Sequence, residues 1–407
     1  MYQGTRKTVP QIARELNVDA VIEGSVLRAG DSVRLRVQLI RALPTEQNLW
    51  GRTYVRNTRE VLGLHGSVAQ AVAQEVKASL TKEESKRFAA ARRVNPQTYE
   101  AYLRGMYLLD KGTPAENGQA IAFFKQAIAN DPADPLAYAG LAMGYITIAH
   151  GPAPDVDALP LAREAAERAL RLDSTLSETM AALGFLKGYY DYDWEEADRL
   201  FRRAIEINPS LSQAHYWYSW QLFLFGQMDS ALAEHRRAEV ADPLNPYDVG
   251  WLAELLATDG QYDSAAAAAR RALAVDPRHA VPHFALAQVH LARGNDVDAM
   301  AEARKAVEGD SSWLWVLGYI SAYAGHKEEA RRVAAALERL PVNPYNAFSL
   351  AVVYACLDDR DRAFRWLDYP HPHAWVPWVR VEPFFSKLWD DPRFPALLLR
   401  FHLPPRS

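Results

Sequence analysis

With one cysteine in 407 residues, the chain has little means for thiol redox or thiolate-metal chemistry. Cys356 stands alone in an apolar helical stretch, which excludes an intramolecular disulfide framework and a CxxC redox or zinc pair. No run of about 18 apolar residues is present, and Met1 to Pro10 is polar, with Arg6 and Lys7 but no apolar stretch behind them. As written, the chain therefore reads as cytoplasmic, without signal peptide or membrane span; as the tail of a membrane-anchored parent it would be extracytoplasmic. Charge of one sign is lacking too. The net charge is −4, charged residues make up 24%, and both signs are interspersed. No broad electropositive surface is implied, which argues against nucleic acid and anionic membrane as main partners. Also missing are a P-loop, a Gly-rich dinucleotide fingerprint, a GxSxG elbow, an HExxH helix and a kinase catalytic loop. These motifs are local, so no catalytic residue, cofactor or metal is expected.

What is there is a repeat. Hydrophobic residues are 49% of the chain, enough for a continuous core. Asp-Pro or Asn-Pro pairs close helical stretches at Asp131-Pro132, Asn208-Pro209, Asp242-Pro243 and Asp276-Pro277, and the last three prolines are 34 residues apart. Asp310-Ser311 continues the step. Small residues recur at fixed offsets inside each unit: Gly226, Ala231 and Ala238, then Gly260, Ala265 and Ala272, then Gly294, Ala299 and Ala306. A glycine there suits a turn that needs positive φ, and the alanines suit a close crossing of two helices. Proline disfavours helix in the residue before it and so stops the second helix. Tyr218 and Leu222, Leu252 and Leu256, and Leu286 and His290 stand four apart on one face of each first helix, as core positions do.

A large residue, a small residue, a turn glycine, two alanines and a closing proline in register resemble the tetratricopeptide repeat family. Weaker copies run through Leu183, Gly184, Ala197, Phe201, Ala204 and Pro209 on one side, and Leu317, Gly318, Gly325 and Ala330 on the other. The repeat arithmetic gives about eight helix pairs over residues 96–368. The fold class is mainly α, an α-solenoid of helix pairs preceded by a small α/β module. From Asp368 the chain turns rich in proline and aromatics (Pro370, Pro372, Trp375, Trp378, Phe384, Phe385), and residues 369–407 suit a cap over the apolar end of the array.

Residues 1–90 follow another rhythm. Thr8-Val9-Pro10-Gln11 is a capping-box pattern that opens a short helix with Ile12 and Leu16. Ala20 to Arg28 reads as a strand, Ala29-Gly30-Asp31 as a turn, and Val33, Leu35, Val37 and Leu39 alternate with polar residues in a second strand. Leu49 to Val55 reads as a third. A long amphipathic helix then runs from near Asn57 through Val61, Leu64, Val68, Val72 and Val76 to about Leu80. Ile12-Ala13-Arg14-Glu15-Leu16, Glu23-Gly24-Ser25-Val26 and Leu49-Trp50 resemble the amino-terminal domain of TolB. That resemblance implies a further strand and helix ahead of Tyr2, and hence either a longer parent protein or a sheet edge that pairs with another chain in self-association. Similar modules stand before tetratricopeptide arrays in the carboxy-terminal half of bacterial Ser/Thr kinases, cyclases and transcriptional regulators.

Candidate chemistry in this sequence has plainer explanations. Gly24-Ser25 lies within a strand pattern without a nucleophile elbow. His279, His283 and His290 have spacing that could hold a metal, but His283 and His290 fall where neighbouring repeats place packing residues, and no carboxylate or cysteine accompanies them at ligand spacing. Glu195-Glu196 and Glu328-Glu329 stand at helix starts, where the dipole favours negative charge. The residues with most functional promise are those that register turns toward the concave side: Phe185, Gln213, Tyr216, Trp220, Phe223, Glu254, Phe284, Gln288, Trp315 and Tyr319. Tyr216, Trp220 and Trp315 equally suit packing between adjacent helix pairs. The resemblance implies a groove for a protein or peptide. The lysines, arginines and asparagines that clamp a partner's terminal carboxylate in some members of the family are absent from these positions, so an aromatic-anchored partner is expected. The reading is a non-enzymatic interaction scaffold or sensor segment in bacterial signalling; the alternative is the regulatory tail of a larger Ser/Thr kinase, nucleotide cyclase or winged-helix regulator.

Overall fold

The computed structural model describes residues 7–16, 18–30, 32–57, 68, 71–73, 94–109, 114–152, 154–243 and 245–406. The chain divides into two compact units, one holding the residues up to Arg104 with Lys125–Ala137, the other Gly105–Phe124 with Tyr138 onward. In the first unit, α1 (Val9–Leu16) begins where the Gln11 side-chain oxygen accepts from the Thr8 backbone N–H at 2.7 Å, half of the reciprocal pattern that Thr8 and Gln11 suggest. Three antiparallel strands follow in the order β1 (Ala20–Ala29), β2 (Ser32–Arg41) and β3 (Gln47–Asn57). Alternation along β2 turns Val37 and Leu39 inward and Arg34 and Arg36 to solvent. Val37 and Tyr54 form the core of the sheet, with Leu35, Trp50 and Val68 against them. Of the expected long helix, Val68 and residues 71–73 are helical; Val61, Leu64 and Val76 lie outside the described residues. Ser25 pairs with Arg36 inside the ladder and is exposed there, as a strand residue rather than a nucleophile at a turn.

The helices that follow are α2 (Pro96–Leu109), α3 (Pro114–Asn130), α4 (Pro135–His150), α5 (Ala158–Leu172), α6 (Ser177–Tyr189), α7 (Trp194–Ile207), α8 (Ser212–Leu224) and α9 (Met228–Ala241). Then come α10 (Pro246–Thr258), α11 (Tyr262–Val275), α12 (Ala280–Ala292), α13 (Asp296–Gly309), α14 (Leu314–Tyr323), α15 (Lys327–Leu337), α16 (Pro344–Cys356) and α17 (Arg360–Leu367). In the second unit, from α6 onward, each even-numbered helix packs on the next odd-numbered one, and α10, α12, α14 and α16 also stack on one another as an inner layer. Ala231, Ala238, Ala265, Ala272, Ala299 and Ala306 are buried at or near 0% exposure, which is what a close crossing of two backbones requires.

The turn chemistry explains the strict period. Gly260 sits at φ +79, and the N–H of Gln261 reaches back to the Leu256 carbonyl at 2.9 Å, so the end of α10 is satisfied by a left-handed turn. Gly226 and Gly294 hold the same place in their repeats. In the last pair Asp358 takes it at φ +64, with Asp359 N–H on the Tyr354 carbonyl. The side chain of Asp359 then accepts from Arg362 N–H at 3.1 Å and starts α17.

An alanine at Gly260 would have to hold a left-handed conformation at a cost of about 1 kcal/mol or more. We expect Gly260→Ala to lower the urea midpoint of unfolding, while Asp259→Ala, at an ordinary φ of −76, leaves it nearly unchanged. Equal midpoints for the two variants would contradict this account of the turn.

Candidate functional site

The inner helices bring a continuous aromatic surface together. Phe185 on α6 stacks on Tyr189 and meets Trp217 of α8, both with ring centres 4.7 Å away. Tyr216 contacts Trp220, His235 and Tyr247 edge-on or tilted. Trp220 meets Trp251 of α10 at 5.1 Å, and Phe284 of α12 meets Trp315 of α14 at 5.3 Å. Phe223 is buried, Gln213 is half-buried at the start of α8, and Glu254, Gln288, Trp315 and Tyr319 are buried. Trp251, Trp313 and Phe348 belong to the same surface and were not among the residues picked by register.

This surface is covered by the chain's own carboxy-terminal segment. After α17 the backbone passes His373 and Trp375, forms 3-10 turns at Val376–Arg380 and Pro383–Leu388, and ends in α18 (Phe394–Arg400). Pro377 and Pro383 sit at the starts of these turns, where a missing N–H costs nothing. Trp378 stacks on Trp220 at 5.1 Å and on Trp375 at 4.8 Å. Phe384 meets Trp315 and Tyr319 at 5.7 and 5.5 Å. Hydrogen bonds fix the path: Arg380 Nη1 donates to the Leu224 carbonyl at 2.7 Å, Tyr323 Oη to the Pro383 carbonyl at 3.2 Å, and Trp194 Nε1 to the Phe401 carbonyl at 2.8 Å. The segment expected to cap the array covers its last pair, where Arg393 pairs with Asp361 at 2.8 Å, and continues along the inner helices as far as α4 and α7.

Two buried polar clusters mark this path. His373 Nε2 donates to the His150 carbonyl at 2.9 Å while its Nδ1 accepts from Trp375 N–H at 3.2 Å, an arrangement for a neutral ring. Burial pushes His373 down to about 4 and His150, which would be repelled by a protonated His373 as well, down to about 3. The second cluster joins Glu254 on α10, Gln288 on α12 and Glu382 of the segment. Burial pushes Glu254 up to about 7, and burial with the neighbouring Glu254 charge raises Glu382 well above the carboxylate range.

Of the histidines with metal-like spacing, His283 has both ring nitrogens engaged, whereas Nδ1 of His279 and of His290 is buried without a hydrogen-bond partner. His283 Nδ1 faces Glu302 at 2.6 Å and its Nε2 faces the Pro277 carbonyl at 3.2 Å; His215 repeats the arrangement with Glu234 and Pro209 two units earlier. Neither ring keeps a nitrogen for a metal, and no group of three or more His, Cys, Asp or Glu at metal-holding distance occurs among the described residues. A cleft of about 500 Å³ beside α17 is lined by Arg331, Arg360, Arg362 and Arg393 with Asp358, Asp359 and Asp361, whose charges largely pair among themselves.

Helix pairs with a left-handed turn every 34 residues coincide with a match of residues 252–312 to the tetratricopeptide repeat family model. The array is a tetratricopeptide-repeat solenoid. Over 170 residues the chain is 27% identical to a putative adenylate cyclase 3 of Rhizobium meliloti (strain 1021), a match covering 40% of this chain and 29% of that protein. Over 143 residues it is 29% identical to the transcriptional regulator HilA of Salmonella typhimurium, covering 35% of this chain and 26% of the regulator. The matched stretches thus span under a third of either relative. Among solved structures, the APC/C hetero-tetramer Cut9–Hcn1 aligns with a TM-score of 0.45 at 13% identity, covering 84% of this chain and 68% of that one. No helix among the described residues is long and apolar enough to cross a membrane.

A histidine whose pKa is lowered in the docked state binds fewer protons there, so its contribution is complete above about 6.5 and fades as the pH falls toward about 4. We expect the stability of the native chain relative to His373→Phe to fall on acidification across that window, measured as the difference between their urea midpoints. A pH-independent difference would contradict the neutral, buried ring.

Proposed function

We propose that the chain is a non-enzymatic interaction scaffold in bacterial signalling, and that its concave aromatic surface is where a protein or peptide segment docks. The observation that carries this reading is the occupant already there: an irregular stretch with two proline-led 3-10 turns inserts Trp375, Trp378 and Phe384 between the inner helices. A surface able to seat that stretch has the depth, aromatic anchoring and scattered hydrogen-bond donors that recognition of a peptide-like segment requires. Phe185, Gln213, Tyr216, Trp220, Phe223, Glu254, Phe284, Gln288, Trp315 and Tyr319 form the proposed lining, with Trp251 and Phe348 added. A partner of this kind competes with the chain's own segment, so its apparent affinity is reduced by the fraction of molecules in which the groove is closed.

A second reading is favoured by the relatives. A cyclase and a transcriptional regulator each match over little more than a quarter of their length, as a sensory or regulatory portion would. In that reading the array regulates an activity carried by another domain of a larger protein, and the amino-terminal sheet is the TolB-like module between them.

The test compares capture of proteins from the producing cells by the native chain, by Trp378→Asp and by Trp378→Asp with Phe284→Asp, each checked for helical content. Groove docking requires more of the same partner on the first variant, where the segment is dislodged, and its loss on the second. Equal capture by all three would place docking elsewhere.

A further inference from the structure

The seat of the segment contains a feature that packing alone does not call for. Glu382 is fully buried, and neither of its carboxyl oxygens meets an N–H or hydroxyl donor. It faces the equally buried Glu254 of α10, one oxygen of which takes the Thr258 hydroxyl at 3.0 Å while the other has no hydrogen-bond partner. The remaining titratable groups on this side are Tyr319 of α14, which faces Glu382, and Cys356 of α16 beyond it; burial keeps both neutral. Arg380, two residues before Glu382, spends its guanidinium on the carbonyls of Leu224, Pro404 and Pro405. Lys387 donates to the Cys356 carbonyl at 2.6 Å. Among the described residues no cation therefore balances the pair. Two buried carboxyl groups that face each other without a cation cannot both ionise, and a hydrogen bond between them requires a proton carried by one of them.

We propose that the carboxy-terminal segment is a tethered plug of the groove, latched across the Glu254–Glu382 carboxyl pair by a shared proton, and that rising pH loosens the latch. One carboxyl belongs to the solenoid and the other to the plug, so separating them returns both to water, where both ionise. The closed form holds a proton that the open form releases. Its advantage is complete below the ordinary carboxylate pKa of 4.5, and declines as the pH rises through about 7 for Glu254 and beyond that for Glu382. Each pH unit over which the closed form keeps one extra proton moves the closed-to-open ratio about tenfold toward open. The buried histidines oppose this only below about 6.5, where they favour opening on acidification, so the plug is held best at mildly acidic pH. The latch deepens the docking reading, because it sets when the groove is available, but it concerns the free chain and needs no partner.

The test is hydrogen exchange of the backbone amides of Val381–Leu388 in the full chain between about pH 7 and 8.5, corrected for the chemical exchange rate, in native protein and in Glu382→Gln. The expected result is protection that falls about tenfold per pH unit in the native chain and stays level in the variant, whose neutral amide needs no proton. Circular dichroism reports whether the solenoid is intact; should Glu382→Gln fail to fold, Glu254→Gln carries the same comparison from the other side of the pair. Protection that is level in the native chain, or that falls equally in native and variant, would overturn the latch. Because no partner is present, loss of the latch would leave groove docking standing, and failure of partner capture would leave the latch standing.

Discussion

Stacking helix pairs side by side leaves one face of the inner helices without a helix to cover it. In this chain that face carries Trp220, Trp251, Phe284, Trp315, Tyr319 and Phe348, and fully burying each such ring stabilises by about 1.5–3 kcal/mol relative to exposure. A contiguous aromatic surface of this kind is either an interface or a liability. The chain meets the constraint internally. Residues 369–406 return along the inner helices and place Trp375, Trp378, Phe384 and Phe385 against them. The cover supplied by the chain itself and the two polar clusters along it follow from that one requirement.

The repeat was readable because its physics is local. The glycine at the end of each first helix and the alanines of the crossing recur at fixed offsets, since each meets the same backbone geometry every 34 residues, and Gly260 at φ +79 with Ala265 and Ala272 buried shows why. The hairpin was readable for the same reason: β2 alternates with a period of two, and its neighbours are near in sequence. Strand ends were extended by a few residues, because Gln47, Asn48 and Asn57 continue the ladder without continuing the apolar pattern.

The return of the carboxy-terminal segment was not readable. Its prolines and aromatics indicate burial, but nothing local distinguishes a lid over the last repeat from a strap that reaches Trp194 and His150 about two hundred residues earlier. Register did pick Trp220, Glu254 and Gln288, which share one offset in successive repeats; Trp220 meets Trp378, and Glu254 faces Glu382. It passed over Trp251, Trp313 and Phe348, because an inner face wide enough to seat another segment presents more than one row of side chains. Glu254 had no visible meaning as a lone acid in an apolar row until Glu382 stood opposite it.

The contact between Trp220 and Trp378 tests the closed groove most directly, since one ring belongs to the solenoid and the other to the segment, with centres 5.1 Å apart. A double-mutant cycle of Trp220→Ala and Trp378→Ala, followed by urea unfolding, measures whether they meet in solution. Each single change is expected to cost about 3–5 kcal/mol, with the pair costing less than the sum by about 0.5–3 kcal/mol. Strict additivity would contradict the account and leave the segment outside the groove.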